Sequence, residues 1–289
     1  MSTVVRRALQ SDLFPVFQLI RTSNLNKLPL AARQRGFFPV WGGQEPYYGY
    51  VLEDDGKIVG FLGTLHTRRE IRGKVEDICE IYSWYVQNEY RNESLNLLMP
   101  VLAMSRKKTI IVTPTKKVHE ICRKFGFQDL ETALLLFFPI PTRLRKVEIV
   151  TEPWLVPQFL DGEDLRIFND HKDIRCIHIV LRDAPGGAPL YAVLKSMRRN
   201  WYEKFGRVLY VNDPPRFASL LGAVSWRLCA KYRWYFMGAD ARDFEGTRPT
   251  TFTKRVTRPV PSQFFSRHLQ ASDLRQLYTQ PLLMGYRLH

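Results

Sequence analysis

The stretch Cys79–Met99, CEIYSWYVQNEYRNESLNLLM, carries the residue types best suited to chemistry. Its first part alternates as a strand does. That places Glu80, Tyr82, Trp84 and Val86 on one face and Cys79, Ile81, Ser83 and Tyr85 on the other. A turn over Gln87–Asn92 follows, and the pattern predicts a helix from Ser94 to Met104. Such a junction aims a row of backbone N–H groups, with the positive end of a helix behind them, at whatever sits in the turn, and so suits a pyrophosphate. Glu80 is the carboxylate placed to take a proton from a reacting group, and Tyr82, on the same face, can position a substrate. The same two side chains also read as a salt-bridged strand carboxylate and a core aromatic.

The surrounding pattern says what must hold this junction. Val4-Val5 opens the chain as a strand, and Leu13 to Ile20 follows Ser11-Asp12 at helical spacing. A loop-rich stretch, Leu28–Pro46, leads to a hairpin, Tyr48–Leu52 and Ile58–His66, around the turn Glu53-Asp54-Asp55-Gly56. Beyond the junction come a buried strand, Thr109–Val112, and a helix from Thr115 that Gly126 ends. Leu134–Phe138 reads as a strand closing the first half, and Pro139–Lys146 as a linker.

The second half repeats the theme. Weak strands at Val147–Val150 and Leu165–Phe168 precede a hairpin, Ile174–Arg182 with Leu190–Met197. A strand over Arg207–Val211, a helix opened by Pro214-Pro215 and running to Tyr232, and a strand over Trp234–Met237 complete it. Hairpin, strand, helix and strand therefore occur in one order twice, without residue identity. A duplicated unit predicts two mixed sheets of similar topology, residues 1–140 and 141–289.

"Val86-Gln-Asn-Glu-Tyr-Arg-Asn-Glu-Ser94-Leu-Asn96" resembles the junction at which GNAT enzymes, the N-acetyltransferase-like acyltransferase superfamily, grip the pyrophosphate of acyl-coenzyme A. Ile110–Phe127 (IIVTPTKKVHEICRKFGF) is similar to the next strand and helix of that family, and RRALQSDLFPVFQLI to its first. The resemblance implies an α/β fold of two GNAT-like mixed β-sheet units with flanking helices. It implies acetyl-CoA or another acyl-CoA as co-substrate, or an acyl carrier protein as donor, and no metal. Transfer would go to an amine or hydroxyl acceptor. Coenzyme A contacts would come from Trp84, Val86, Arg91, Asn92, Ser94, Leu95 and Asn96, with Glu80 as base and Tyr82 beside it. The sequence departs from the family in three ways. Asn92, Ser94 and Asn96 stand where it has glycines, Glu93 lies where an anion should approach, and Cys122 stands where many members have a tyrosine that protonates the departing thiolate.

Bulk properties agree with two globular units. The chain has 289 residues, about two domains at roughly 150 residues each, and is 45% hydrophobic and 25% charged. Forty-three Lys and Arg against 28 Asp and Glu leave a formal charge of +15, which favours anionic partners such as nucleotides or acidic carriers. The four cysteines, Cys79, Cys122, Cys176 and Cys229, are widely spaced, so neither metal knuckles nor a disulfide framework is indicated. Ala133–Ile140, the longest apolar run, is too short to span a bilayer, and the reading is a soluble, cytoplasmic protein. Two other classes stay open on the sequence. One is a non-catalytic GNAT-like binding module. The other is a nucleic-acid binder using Arg198–Tyr202 (RRNWY) and Lys231–Tyr235 (KYRWY), although aromatics at a strand start are ordinarily core.

Overall fold

A computed structural model describes residues 3–23, 41–105, 108–130, 132–140, 146–184, 186–198, 204–274, 277–279 and 282. Most of the loop-rich stretch before Pro46 and of the cluster Arg198–Tyr202 lie outside them. β1 (Val4–Arg7) is followed by α1 (Leu13–Thr22), which buries Val16, Leu19 and Ile20 at the expected spacing. β2 (Gly49–Asp54) and β3 (Lys57–Ile71) form the first hairpin. Asp55 and Gly56 both sit at positive φ, 46° and 74°, the two-residue turn that matches strand twist. β4 (Lys74–Val86) returns from β3 through Arg72 and Gly73, again at positive φ. The polar run RREIRGKVED is thus a long ribbon and not a loop.

A 3₁₀ helix, Asn88–Leu97, then leads to α2 (Met99–Met104), β5 (Thr109–Val112), α3 (Lys116–Lys124) and β6 (Gln128–Asp129). β7 (Ala133–Phe137) and β8 (Glu148–Val150) precede α4 (Gly162–His171). The run Leu165–Phe168, expected as a weak strand, is inside this helix. Its buried residues Ile167, Phe168 and His171 fall three and four apart, a helical stripe. β9 (Ile177–Arg182), β10 (Leu190–Arg198) and β11 (Lys204–Val211) form a meander. α5 (Pro214–Tyr232) begins where Pro214-Pro215 predicts it and stops at Arg233, in left-handed conformation. β12 (Met237–Asp240), β13 (Thr253–Thr257) and β14 (Gln263–Phe265) finish the chain.

The strands make two sheets of seven, in the orders β1-β2-β3-β4-β5-β14-β6 and β8-β9-β10-β11-β12-β7-β13. Among the described residues each has one parallel pair, at the same place: β4 with β5, and β11 with β12. Two mixed sheets of one topology are therefore present, as the repeated element order predicts. The sixth place, however, is filled crosswise. β7 does not close the first sheet; it runs antiparallel between β12 and β13 in the second. β14 takes the corresponding place between β5 and β6 in the first. By contacts the chain divides into one unit of Met1–Leu130 with Val260–Leu274 and Tyr278–Tyr286, and another consisting mainly of Glu131–Pro259. The units are not residues 1–140 and 141–289: β7, from before residue 140, belongs to the second, and β14, from near the end of the chain, belongs to the first.

In the first unit one core packs Leu52, Leu62, Cys79, Ile81 and Val86 against Leu97, Leu98, Val101 and Cys122. A second, on the opposite face, joins Ile78 and Ile111 to Phe264 of β14 and to Leu274. In the second unit, Phe217, Leu220, Leu221, Val224 and Leu228 of α5 lie on Ile179, Leu194 and Val208. That is the stripe predicted from their spacing. No helix among the described residues is long and apolar enough to cross a membrane.

Candidate functional site

β4 is held on both sides only for part of its length. Its parallel ladder with β5 runs from Ile78↔Thr109 to Ile81↔Val112 and stops there, while β4 continues to Val86. On its other side β3 pairs with it to the end, Gly60↔Val86. Within the continuing stretch, Phe61↔Tyr85 and Gly63↔Tyr82 leave Ser83 and Trp84 together opposite Leu62. This is a β-bulge, with Ser83 at φ 48°. A strand of this sheet thus bends and parts from its neighbour beside the strand-to-helix turn.

The bulge overturns the expected facing of the side chains. Simple alternation puts Glu80, Tyr82, Trp84 and Val86 together, but the extra residue reverses the pattern after Tyr82. Trp84 packs against the core that holds Cys79, Ile81 and Val86, whereas Glu80 and Tyr82 stand on the other face. Val86 is buried there, so only its backbone could serve a ligand. The Trp84 indole N–H is buried without an acceptor among the described residues, which leaves a donor for an incoming group to satisfy.

Glu80 is buried, directly opposite Leu65 on β3. Two registers along that face of β3 lies Thr67, and beyond it Arg69, also buried, whose charge interacts with that of Glu80. Burial pulls the Arg69 guanidinium down to about 10, and Glu80 acts against that shift; the group stays protonated at neutral pH. Arg69 follows Arg68 in a polar run, RREIRGKVED, in which no residue marks it as buried. The Tyr82 hydroxyl donates to the Tyr48 carbonyl at 3.4 Å, and its ring lies over Gly63, where a Cβ would come within 2.4 Å of it.

Arg91, Asn92, Leu95 and Asn96 are exposed and Ser94 is half-buried, all on the 3₁₀ helix. The helix predicted from Ser94 starts as an α-helix only at Met99. Pro100 explains the delay: it lacks an N–H and crowds the preceding turn, so it is tolerated only in the first turn of α2. Asn96 donates to the Glu93 carboxylate at 2.5 Å, which engages that charge within the loop.

Cys122 is fully buried in the core, and burial pushes its thiol up to about 11. A side chain so enclosed packs. Cys122→Ser is expected to leave any turnover unchanged while lowering stability by about 1–3 kcal/mol, the cost of burying a hydroxyl, readable by denaturant unfolding. Of the KYRWY cluster only Trp234 is buried and Tyr232 half-buried, while Lys231, Arg233 and Tyr235 are exposed. Tyr232 stacks on Trp234 at 4.8 Å, and the Trp234 indole donates to Ser196 at 2.8 Å, leaving Tyr235 exposed.

The matching junction of the second unit, β11 into α5, is closed to anions. Its first two helical positions are prolines, which have no N–H, and the Asp213 carboxylate accepts from the N–H of Arg216 at 3.0 Å. A negative charge already occupies the helix start.

No protein-family model matches the sequence, and no curated protein does. Solved structures match in shape. A conserved protein of unknown function from Enterococcus faecalis V583, described as a probable N-acyltransferase, superposes with a TM-score of 0.60 at 12% identity, over 94% of this chain and 74% of its own. GCN5-related N-acetyltransferases from two other organisms are similar. That of Anabaena variabilis ATCC 29413 gives 0.58 at 12% identity, over 91% of this chain and 72% of its own. That of Kribbella flavida gives 0.58 at 13%, over 91% and 70%. The chain therefore has the fold of the GCN5-related N-acetyltransferases, the GNAT fold, and the likeness extends across both of its units.

Proposed function

We propose that the first unit is an acyl-CoA-dependent acyltransferase site and that the second has no donor site of its own. The observation that carries this is the parting of β4 from β5 beyond Ile81↔Val112 while β4 runs on to Val86. Where β4 runs on past the end of its ladder with β5, the gap between the two strands suits an extended amide-bearing chain such as the pantetheine arm of coenzyme A, which binds there in the manner of an added strand. Trp84 supplies a further donor, and the turn holding Arg91, Asn92, Ser94, Leu95 and Asn96 receives the pyrophosphate. The proline-blocked start of α5 favours one donor per chain.

In the reaction so read, the nitrogen or oxygen of the acceptor attacks the thioester carbonyl carbon, and the carbon–sulfur bond breaks. Glu80 takes the proton that the acceptor gives up, directly or through one water, and Tyr82 orients the acceptor. With Cys122 buried, that position gives no proton to the departing thiolate. The excess of basic residues suits the phosphates of coenzyme A and equally the acidic surface of a carrier protein.

Calorimetric titration with coenzyme A and acetyl-CoA tests the site. Ser94→Pro, which removes an N–H and distorts the winding, is expected to abolish binding, and Glu93→Gln to tighten it slightly by removing a like charge. Unchanged affinity in Ser94→Pro excludes this turn as the cradle. A wild-type chain that binds neither ligand favours the non-catalytic module.

A further inference from the structure

The chain after β14 leaves β5, where Ser266 accepts from Thr109 at 2.9 Å, and is then tied to the β3–β4 ribbon: His268 meets Glu76 at 2.9 Å, and Asp273 pairs with Arg72 at 2.7 Å. The last tie is of a different kind. Arg69, buried on the face that carries Glu80, donates from Nη2 to the carbonyl of Tyr278 at 2.7 Å and from Nε to the Thr67 hydroxyl at 3.3 Å. Its guanidinium also lies 5.7 Å from the centre of the Tyr278 ring, and the Trp41 ring meets the same ring edge-on at 5.4 Å.

The backbone at this contact is strained. Tyr278 and Trp41 have φ values of 64° and 49°, in the left-handed region that bulky residues avoid, at a cost of order 1–3 kcal/mol each. Two such residues in ring contact persist only where surrounding bonds over-determine them. The guanidinium that bonds Tyr278 comes from the face of β3 on which Leu65 stands opposite Glu80, four residues away along the strand.

We propose that Arg69 is a positioning residue, pinning the segment around Tyr278 on the face of the ribbon that carries Glu80, so that the backbone there and the surroundings of the carboxylate are set by one side chain. The inference rests on the acyltransferase reading for its bearing on rate, but the anchor itself is independent of any substrate. Arg69 does not touch the reacting atoms; it acts through Glu80 and the segment.

Hydrogen exchange and steady-state kinetics on the full-length chain test it. In Arg69→Met, the amides of Leu277–Thr279 should exchange about 10- to 100-fold faster than in wild type, as loss of a charged hydrogen bond implies. Turnover should fall roughly tenfold or more, with the KM for the acyl donor unchanged, because orientation is lost and donor binding is not. Arg69→Lys should recover part of both effects, since it keeps the charge but not the planar fork that makes two bonds. Should Arg69→Met not fold, Tyr278→Ala carries the test by removing the ring beneath the guanidinium, with the same direction expected in exchange and turnover. Unchanged exchange overturns the anchor, and unchanged turnover in a folded variant overturns its role in the reaction. A wild-type chain that transfers no acyl group defeats only the functional reading, because exchange still reports the anchor.

Discussion

Glu80→Gln is expected to lower turnover by about a hundredfold or more while leaving acyl-donor affinity where it is. The amide keeps the size and most hydrogen bonds of the carboxylate but cannot take a proton from an ammonium or hydroxyl acceptor. Because the donor is read to lie along β4 beyond Ile81 and in the turn after Val86, its binding should not sense the change. Initial rates at saturating donor, set beside calorimetric donor affinity, separate the two. The substitution also leaves the buried Arg69 charge without its carboxylate neighbour, so thermal unfolding must be measured alongside and the rates compared well below the transition. Full turnover in a folded Glu80→Gln protein would show that the carboxylate is structural.

A chain ending at Pro259 is expected not to form the first unit at all. Its loss strips β14 from between β5 and β6, so that Gln263↔Val112 and Phe264↔Ile111 vanish and β6 has nothing to pair with. Phe264, fully buried, goes with it, and so does the core it shares with Ile78 and Ile111. A buried phenylalanine alone is worth about 3–5 kcal/mol, a large part of the 5–15 kcal/mol that holds an ordinary domain. Aromatic circular dichroism and a thermal scan of the truncated chain should show no cooperative transition for the first unit. A sharp transition matching one of the full-length protein would mean that β14 is dispensable.

The sequence made local structure legible wherever a residue has one conformational use. Asp55-Gly56 forms its turn, Gly126 ends α3, and Pro214-Pro215 opens α5, each for the reason that marks it in sequence. What could not be read was partnership. Leu134–Phe137 is a strand in either sheet, since an apolar run fits any buried slot, and nothing in it says that the slot is beside β12. Leu165–Phe168 is too short an apolar run to tell strand from helix until Asp164 and His171 are placed on its stripe. In the candidate site, the strand that carries Glu80 and Tyr82 and the turn after it were legible by type and order. The bulge at Ser83 was not, for no glycine or proline announces it, and it turns Trp84 and Val86 away from Glu80. Arg69 was hidden for the opposite reason: a charge inside a polar run looks solvated, and only the ribbon that buries it shows otherwise.

The crosswise strands also bear on how the polypeptide is made. Thr109 and Ser266, bonded in the finished protein, lie 157 residues apart in the chain. During translation the first sheet emerges with the flank of β5, Ile110, Ile111 and Val112, uncovered, and it stays so until residue 265 has left the ribosome. Contacts of such separation form late and slowly. Over that interval the nascent chain presents an apolar edge of the kind that aggregates, an interval that a protein of two self-contained halves does not pass through.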